Sequence, residues 1–307
     1  MYKKILVPLD GSELAEKVLV YAKEFSARMD FDVLLLHVCA RDQYEALPMH
    51  RAYLERVADG LRTQSEDIRA VIGAQQKRET PQIIGKVAVG YAAEEILRYS
   101  DEEKVDIILM ATHGRSGITR WVLGSVADKV LRASRIPVLL VRTPAAEEMV
   151  YDQWPKRTLL VPLDGSKLAE SVLPHLGILA KQRGVETVEV VLLRVYEPPV
   201  VPADYPASLP VSWEEHVEQE MARRKQEGEQ YLAEIQKGLE KAGIKARSEV
   251  IIGRPADSIL EYSNTIRFNI IFMATHGRSG LSRWAYGSVA EKVLTGGTSP
   301  LFLVRPV

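Results

Sequence analysis

Ile107-Ile108-Leu109-Met110-Ala111-Thr112-His113-Gly114-Arg115-Ser116-Gly117 is a short apolar run that ends in small residues. It returns as Ile270-Ile271-Phe272-Met273-Ala274-Thr275-His276-Gly277-Arg278-Ser279-Gly280. Both copies continue through an Arg-Trp pair, Arg120-Trp121 and Arg283-Trp284, to Gly-Ser-Val-Ala at Gly124–Ala127 and Gly287–Ala290. Each reads as a buried strand, a loop of small residues and the start of a helix. Ser125 is placed to cap that helix. Such an edge offers N–H groups and a positive helix end to an anion, most often phosphate.

The first half carries the same grammar outward from this point. Lys3 to Leu9 reads as a buried strand that ends in a turn, with Ser12 or Asp10 as N-cap of the next helix. Leu14, Ala15, Val18, Leu19, Ala22 and Phe25 give that helix one apolar face. Phe31 to Val38 is a second strand, apolar on both faces, which favours a parallel sheet between helix layers. Arg41 to about Val71 is polar with helical stretches. Gln82 to Val89 is a third strand interrupted by Gly85, Ala92 to Tyr99 a helix, and Val105 to Ala111 the fourth strand. Ser125 to Ala133 is a helix, and Pro137 to Val141 the fifth strand. Residues 145–156 form an acidic and aromatic connector.

Lys156 to Ser166 then repeats the opening. The offset is 154 from Asp10 to Asp164, 157 from Val38 to Val195, and 163 from Gly114 to Gly277. The growth places three extra residues before the end of the second strand of the second half and six between that strand and Gly253. A period of this length is a duplicated domain, since solenoid units are far shorter. The division is 1–144 for domain one, 145–156 for the linker and 157–307 for domain two. Alternating strands and helices make each domain α/β and doubly wound. Most divergence falls after the second strand. There domain two has Pro198, Pro199, Pro202, Pro206 and Pro210 and then a long charged helix from Trp213 to about Ala242, with Val217, Met221, Tyr231, Leu232, Ile235 and Leu239 as its buried stripe.

Composition narrows the class. The 307 residues are 46% hydrophobic and 26% charged with a net charge of -1, which gives no bulk attraction to nucleic acid or to a membrane surface. No apolar run reaches the roughly 20 residues that span a bilayer, and the start shows no signal peptide. The single cysteine, Cys39, has no partner for an intrachain disulfide. The expectation is a cytoplasmic protein.

In such sheets ligands sit beyond the strand carboxyl ends, where Asp10 and Gly114 both fall. Asp10 has two readings, a turn or cap carboxylate and a ligand for a ribose hydroxyl or a metal-bound phosphate. Its recurrence as Asp164 does not separate them. The loop from Ala111 to Gly117 and the Gly124-Ser125 helix start are the phosphate candidates, with Arg115 or Arg120 to balance charge. Neither a Walker loop nor a dinucleotide turn is present. His113 and His276 read as loop-fixing first and ligand contacts second, with no metal-ligand spacing around them. Trp121 and Trp284 read as packing or interface residues. His37, replaced by Arg194 in the second half, has no role assigned. No nucleophile-histidine-carboxylate arrangement is supported.

Val7-Pro8-Leu9-Asp10, Leu36-His37-Val38 and Met110 to Ala127 resemble the universal stress protein domain, and the second half resembles it equally. The nucleotide-binding branch of that family carries Gly-x2-Gly-x9-Gly-Ser/Thr. Here Gly114 stands nine residues before Gly124-Ser125 and Gly277 nine before Gly287-Ser288. The first glycine of the motif is replaced by Ala111 and Ala274, which binding tolerates if φ is negative there. The resemblance implies two tandem doubly wound domains, each a five-stranded parallel sheet flanked by helices, of the adenine nucleotide alpha hydrolase-like kind. It implies ATP as ligand, with Mg²⁺ or Mn²⁺ held through the phosphates and Asp10 or Asp164 as the candidate direct metal contacts. The implied binding residues are Pro8, Asp10, Val38, Met110, Ala111, His113, Gly114, Arg115, Gly117, Gly124, Ser125 and Val126. In domain two they are Pro162, Asp164, Val195, Met273, Ala274, His276, Gly277, Arg278, Gly280, Gly287, Ser288 and Val289. Pairing through the fifth strands implies a pseudo-dimer of the two domains within one chain, and leaves room for a homodimer of chains. The function expected is that of an ATP-binding stress-response regulator, not an enzyme, with at most slow hydrolysis. A nucleotide-free interaction module and a slow ATPase or phosphotransferase are the alternatives. The regulatory protein partner is not named by the sequence.

Overall fold

The computed structural model of the chain describes residues 1–42, 44–72, 80–112, 123–142, 157–199, 213–265, 270–276 and 286–306. The proposed linker, the Arg-Trp pairs and the prolines from Pro202 to Pro210 lie outside them.

Five strands form the first half: β1 Lys4–Pro8, β2 Asp32–Cys39, β3 Ile83–Val89, β4 Ile107–Ala111 and β5 Val138–Val141. Five more form the second: β6 Arg157–Pro162, β7 Val188–Tyr196, β8 Lys245–Ile252, β9 Ile270–Ala274 and β10 Leu301–Val304. The helices of the first half are α1 Glu13–Glu16, α2 Leu19–Met29, α3 Leu47–Ile72, α4 Ala92–Glu102 and α5 Ser125–Ala133. Those of the second are α6 Lys167–Glu170, α7 Leu173–Arg183, α8 Trp213–Lys241, α9 Pro255–Thr265 and α10 Ser288–Gly296.

All ten strands join one sheet, ordered β3-β2-β1-β4-β5-β10-β9-β6-β7-β8. Pairing is parallel within each half and antiparallel between β5 and β10, where Phe302 lies opposite Leu139. Within each half the strand order turns back at the first strand, between β1 and β4 and between β6 and β9. Strands apolar on both faces are buried on both faces. One apolar cluster joins Ile5, Val7 and Leu35 to α2, α3, α7 and α8. The other joins Leu6, Leu34 and Leu36 to α4, α5, α9 and α10. Each cluster runs through both halves, so the two halves share their cores.

A buried ionic group ties the halves together. Glu24 on α2 accepts from Arg183 Nε at 2.7 Å and lies 3.2 Å from Arg157 Nη2 and 3.1 Å from Arg28 Nε. Tyr2 exchanges backbone bonds with the Gln182 amide at 2.9 Å, and its hydroxyl meets His175 Nδ1. Burial raises the Tyr2 hydroxyl to about 12 and lowers His175 below the usual histidine value. Arg142, lowered to about 10 by desolvation, donates to the carbonyls of Leu294 and Gly297.

Four expectations change. The helix after β1 is broken: α1 and α2 meet at Lys17 and Val18, although Ala15, Val18, Tyr21, Ala22 and Phe25 all face the core. The polar stretch after β2 is one 26-residue helix, α3. The insertions also fall differently. Tyr53 bonds Glu16 just as Tyr231 bonds Glu170, an offset of 178 against 157 at Val38–Val195. The second half therefore gains residues ahead of its long helix and loses some between that helix and β8. The buried stripe of α8 is Met221, Gly228, Leu232 and Leu239, with Tyr231 and Ile235 packed against the core. Gly85 does not interrupt β3. A Cβ there would lie 2.8 Å from Leu54 Cβ, so the glycine lets α3 approach the sheet.

Candidate functional site

The turn after β1 places the first candidate carboxylate. Gly11 has φ of 79° and Gly165 of 80°, the left-handed region that glycine reaches without strain. The turn folds the chain back so that Asp10 Oδ1 accepts from the Ser12 amide at 3.0 Å and the Ser12 hydroxyl at 2.6 Å. Ser12 in turn caps α1 by accepting from Ala15 N. Asp164, Ser166 and Ala169 repeat the arrangement at 2.9, 2.6 and 3.1 Å. The N-cap is thus the serine. The aspartate is a turn carboxylate that also lines a cavity.

That cavity lies beyond the strand ends where the strand order reverses. In the first half it measures about 280 Å³ and is lined by Pro8, Asp10, Leu36, Val38, Met110, Ala111, Thr112 and Gly124 to Ala127, with Ile96 and Ala92 of α4 as a further wall. Its counterpart measures about 460 Å³ and gathers Pro162, Asp164, Val195, Met273 to His276 and Gly287 to Ala290, with Ile259 and Pro255 of α9. The sequence motifs therefore meet in space: Pro8, Asp10, Val38, Met110, Ala111, Gly124, Ser125 and Val126 share one pocket, and Pro162, Asp164, Val195, Met273, Ala274, His276, Gly287, Ser288 and Val289 share the other. His113, Gly114, Arg115, Gly117, Gly277, Arg278 and Gly280 lie outside the described residues. Thr112 and Thr275 of the predicted loops also line the pockets, whereas the α4 and α9 walls were missed; their signal was the apolar stripe of Ala93 and Ile96. The second pocket also has a charged rim, Glu197 and Arg224, the latter donating to Glu197 O at 3.1 Å.

The helix start differs from the expectation. Gly124 and Gly287 are the N-caps, and neither helix has a side-chain capping bond. Ser125 is the first helical residue and is exposed, so its hydroxyl does not cap. The Gly124 amide is bonded to Thr112 O at 2.9 Å and that of Gly287 to Thr275 O at 2.8 Å. These bonds clamp each helix start to its strand end. The next three amides, Ser125 to Ala127 and Ser288 to Ala290, have no intrahelical acceptor and stand at the cavity with the positive end of the helix dipole.

Ala111 and Ala274 are the last residues of β4 and β9. Among the described residues only Asp30 and Lys104 combine a side chain with positive φ. Alanine at these positions is therefore unstrained and keeps its amide. His276 is 9% exposed; its Nδ1 lies 3.1 Å from the Thr275 hydroxyl, while Nε2 is buried without a partner among the described residues. That nitrogen belongs to a cavity-lining side chain and suits a polar group brought by a ligand. Among the described residues the carboxylates that line the pockets for a divalent cation are Asp10 in one and Asp164 and Glu197 in the other. That supply fits an ion carried mainly by substrate phosphates, as Mg²⁺ is held with one or two carboxylates.

Comparison with known proteins gives the same outline. The model of the Universal stress protein family matches residues 1–142 and 156–305. A universal stress protein of Mycolicibacterium smegmatis is 24% identical over 306 residues, 98% of this chain and 97% of its own. Universal stress protein MJ0577 of Methanocaldococcus jannaschii is 32% identical over 163 residues, 46% of this chain and 96% of its own. The crystal structure of a universal stress protein from Archaeoglobus fulgidus superimposes with a TM-score of 0.64 at 21% identity, covering 99% of this chain and 96% of that one. Among the described residues no helix is long and apolar enough to cross a membrane.

Proposed function

The chain belongs to the universal stress protein family, and from that premise we propose that each half binds one ATP as a regulatory ligand. One observation carries the reading: the same cavity is built twice, and each ends at a helix N-terminus that no side chain caps. Its apolar walls, Val38 with Ile96 and Val195 with Ile259, suit a purine. Asp10 and Asp164 suit a ribose hydroxyl or a metal-bound phosphate. The amides of Ser125 to Ala127 and Ser288 to Ala290 suit phosphate oxygens, together with the 111–117 and 274–280 loops. Mg²⁺ or Mn²⁺ would enter with the triphosphate and neutralise its charge.

The protein acts on this reading as a cytoplasmic stress-response regulator whose conformation or stability follows nucleotide occupancy, with hydrolysis slow or absent. The sequence has no P-loop lysine, and the charged rim of Glu197 and Arg224 makes the two sites unequal. The test is the nucleotide content of freshly purified protein, followed by calorimetric titration of stripped protein with ATP and Mg²⁺. Two equivalents are expected. Val38→Trp should remove one and Val195→Trp the other, each filling its cavity. No saturable binding, or binding that both tryptophans leave intact, overturns the assignment.

A further inference from the structure

On the face of β2 opposite the cavity, His37, Cys39 and His50 converge. His37 and Cys39 are two residues apart on one strand and so share a face. His50 descends on them from the first turn of α3. All three are buried, at 3%, 1% and 6% exposure. Their ligand-capable atoms lie within 4.8 Å of one another. The two imidazoles are stacked, with centroids 4.0 Å apart and planes 21° from parallel. No other group of three His, Cys, Asp or Glu side chains converges this way among the described residues.

The second half shows how the fold fills this volume without such a set. Arg194 stands in the place of His37 and Tyr196 in the place of Cys39, at the offset of 157. Gly228 stands in the place of His50, at the offset of 178 set by Tyr53 and Tyr231. The Arg194 guanidinium lies 4.6 Å over the Tyr196 ring and donates to Leu163 O at 3.1 Å. Gly228 makes room for that tyrosine, since a Cβ there would come within 2.8 Å of Tyr196 Cε2. Cation-π stacking and packing are thus sufficient for the fold. The first half departs from them at all three positions together, and its three side chains are the imidazole and thiol donors that soft metal ions prefer.

We propose that His37, Cys39 and His50 form a binding site for a thiophilic d¹⁰ cation, Zn²⁺ or Cu⁺. The Cys39 thiol gives up its proton to solvent and binds as thiolate, and both imidazoles bind neutral. Around zinc, Zn–S of about 2.3 Å and Zn–N of about 2.0 Å set the donors about 3.5 Å apart. With every donor pair already within 4.8 Å, none has to close by much more than about 1 Å when loaded. Three donors complete the coordination of a trigonal Cu⁺, whereas Zn²⁺ takes a water as fourth ligand. The site pins the end of β2 to α3, directly behind Val38. It does not depend on the nucleotide reading.

The experiment uses the full-length, untagged protein, reduced and stripped of metal. Zn²⁺, and in an anaerobic arm Cu⁺, is titrated and bound metal is counted after gel filtration; Co²⁺ serves as the spectroscopic probe. One equivalent per chain is expected, because the second half lacks the set. A thiolate-to-Co²⁺ charge-transfer band is expected and reports Cys39 alone, the only cysteine. Cys39→Ser and His50→Gln should each weaken binding at least tenfold and erase or shift the band. The combined His37→Arg, Cys39→Tyr and His50→Gly variant installs the filling of the other half, and should fold and bind nothing. Preference between the two ions separates Zn²⁺ from Cu⁺. Absence of binding by either ion, or binding that Cys39→Ser and His50→Gln leave unchanged, overturns the proposal.

Discussion

Replacing Glu24 by glutamine tests the buried ionic group that joins the halves. Glu24 and Arg157 are each 5% exposed, and three guanidiniums approach this one carboxylate within 2.7 to 3.2 Å. Burial already lowers Arg183 from its ordinary value, the nearby Arg157 and Arg28 push the same way, and Glu24 opposes them. Glutamine keeps the size and removes the charge. Three cations are then left against one another in a site with little water. Breaking a buried pair from one side costs about 3–5 kcal/mol, and for a chain of this size that is of order 10 °C in thermal midpoint. Urea unfolding, with a double-mutant cycle against Arg183→Met, measures it. The double variant should lose less than the sum of the singles, since removing one guanidinium relieves the repulsion. A loss below about 1 kcal/mol, the range of exposed pairs, or simple additivity in the cycle, refutes the reasoning.

Gly85→Ala should destabilise by about 1–3 kcal/mol in chemical denaturation, because the new Cβ overpacks against Leu54 and must push α3 from the sheet; a neutral result would mean that α3 shifts freely. His175 should make stability depend on acid. Its folded value is lowered by burial, so the unfolded chain takes the proton first as pH falls. The contribution is present above the ordinary value of 6.5 and is lost as pH falls through it towards the lowered folded value. Thermal midpoints at about pH 7.5 and about pH 5.5 should differ less in His175→Gln than in the parent, and an unchanged difference rejects the assignment.

The layered parallel sheet was legible because the strands announce both buried faces in their composition. Val33 to Leu36 and Ile107 to Met110 contain no polar residue to turn outward. The duplication was legible from repeated words, and the words at the ends of β1, β2 and β4 are the ones that meet at the pocket. Helix geometry was less visible. The break at Lys17 and Val18 hides inside an intact apolar periodicity, and Ser125 matches the composition of a cap while Gly124 occupies the position. The matching of α3 to α8 was hidden because residues gained before the helix are offset by residues lost after it. His37 had no role in one dimension, since His50 reaches it only through the docking of α3 on β2. Gly85 looked like a breaker until the helix it admits was seen above it.

The antiparallel seam between β5 and β10 has an evolutionary consequence. Two identical chains joined by such a seam would carry every substitution twice, once on each side of the dyad, and both pockets would have to tolerate it. Here one polypeptide supplies both sides, so the symmetry is only approximate and each side mutates alone. Arg194, Tyr196 and Gly228 on one side and His37, Cys39 and His50 on the other are the record of that freedom. A single chain leaves the two halves free to diverge, while the shared cores keep them packed on one another.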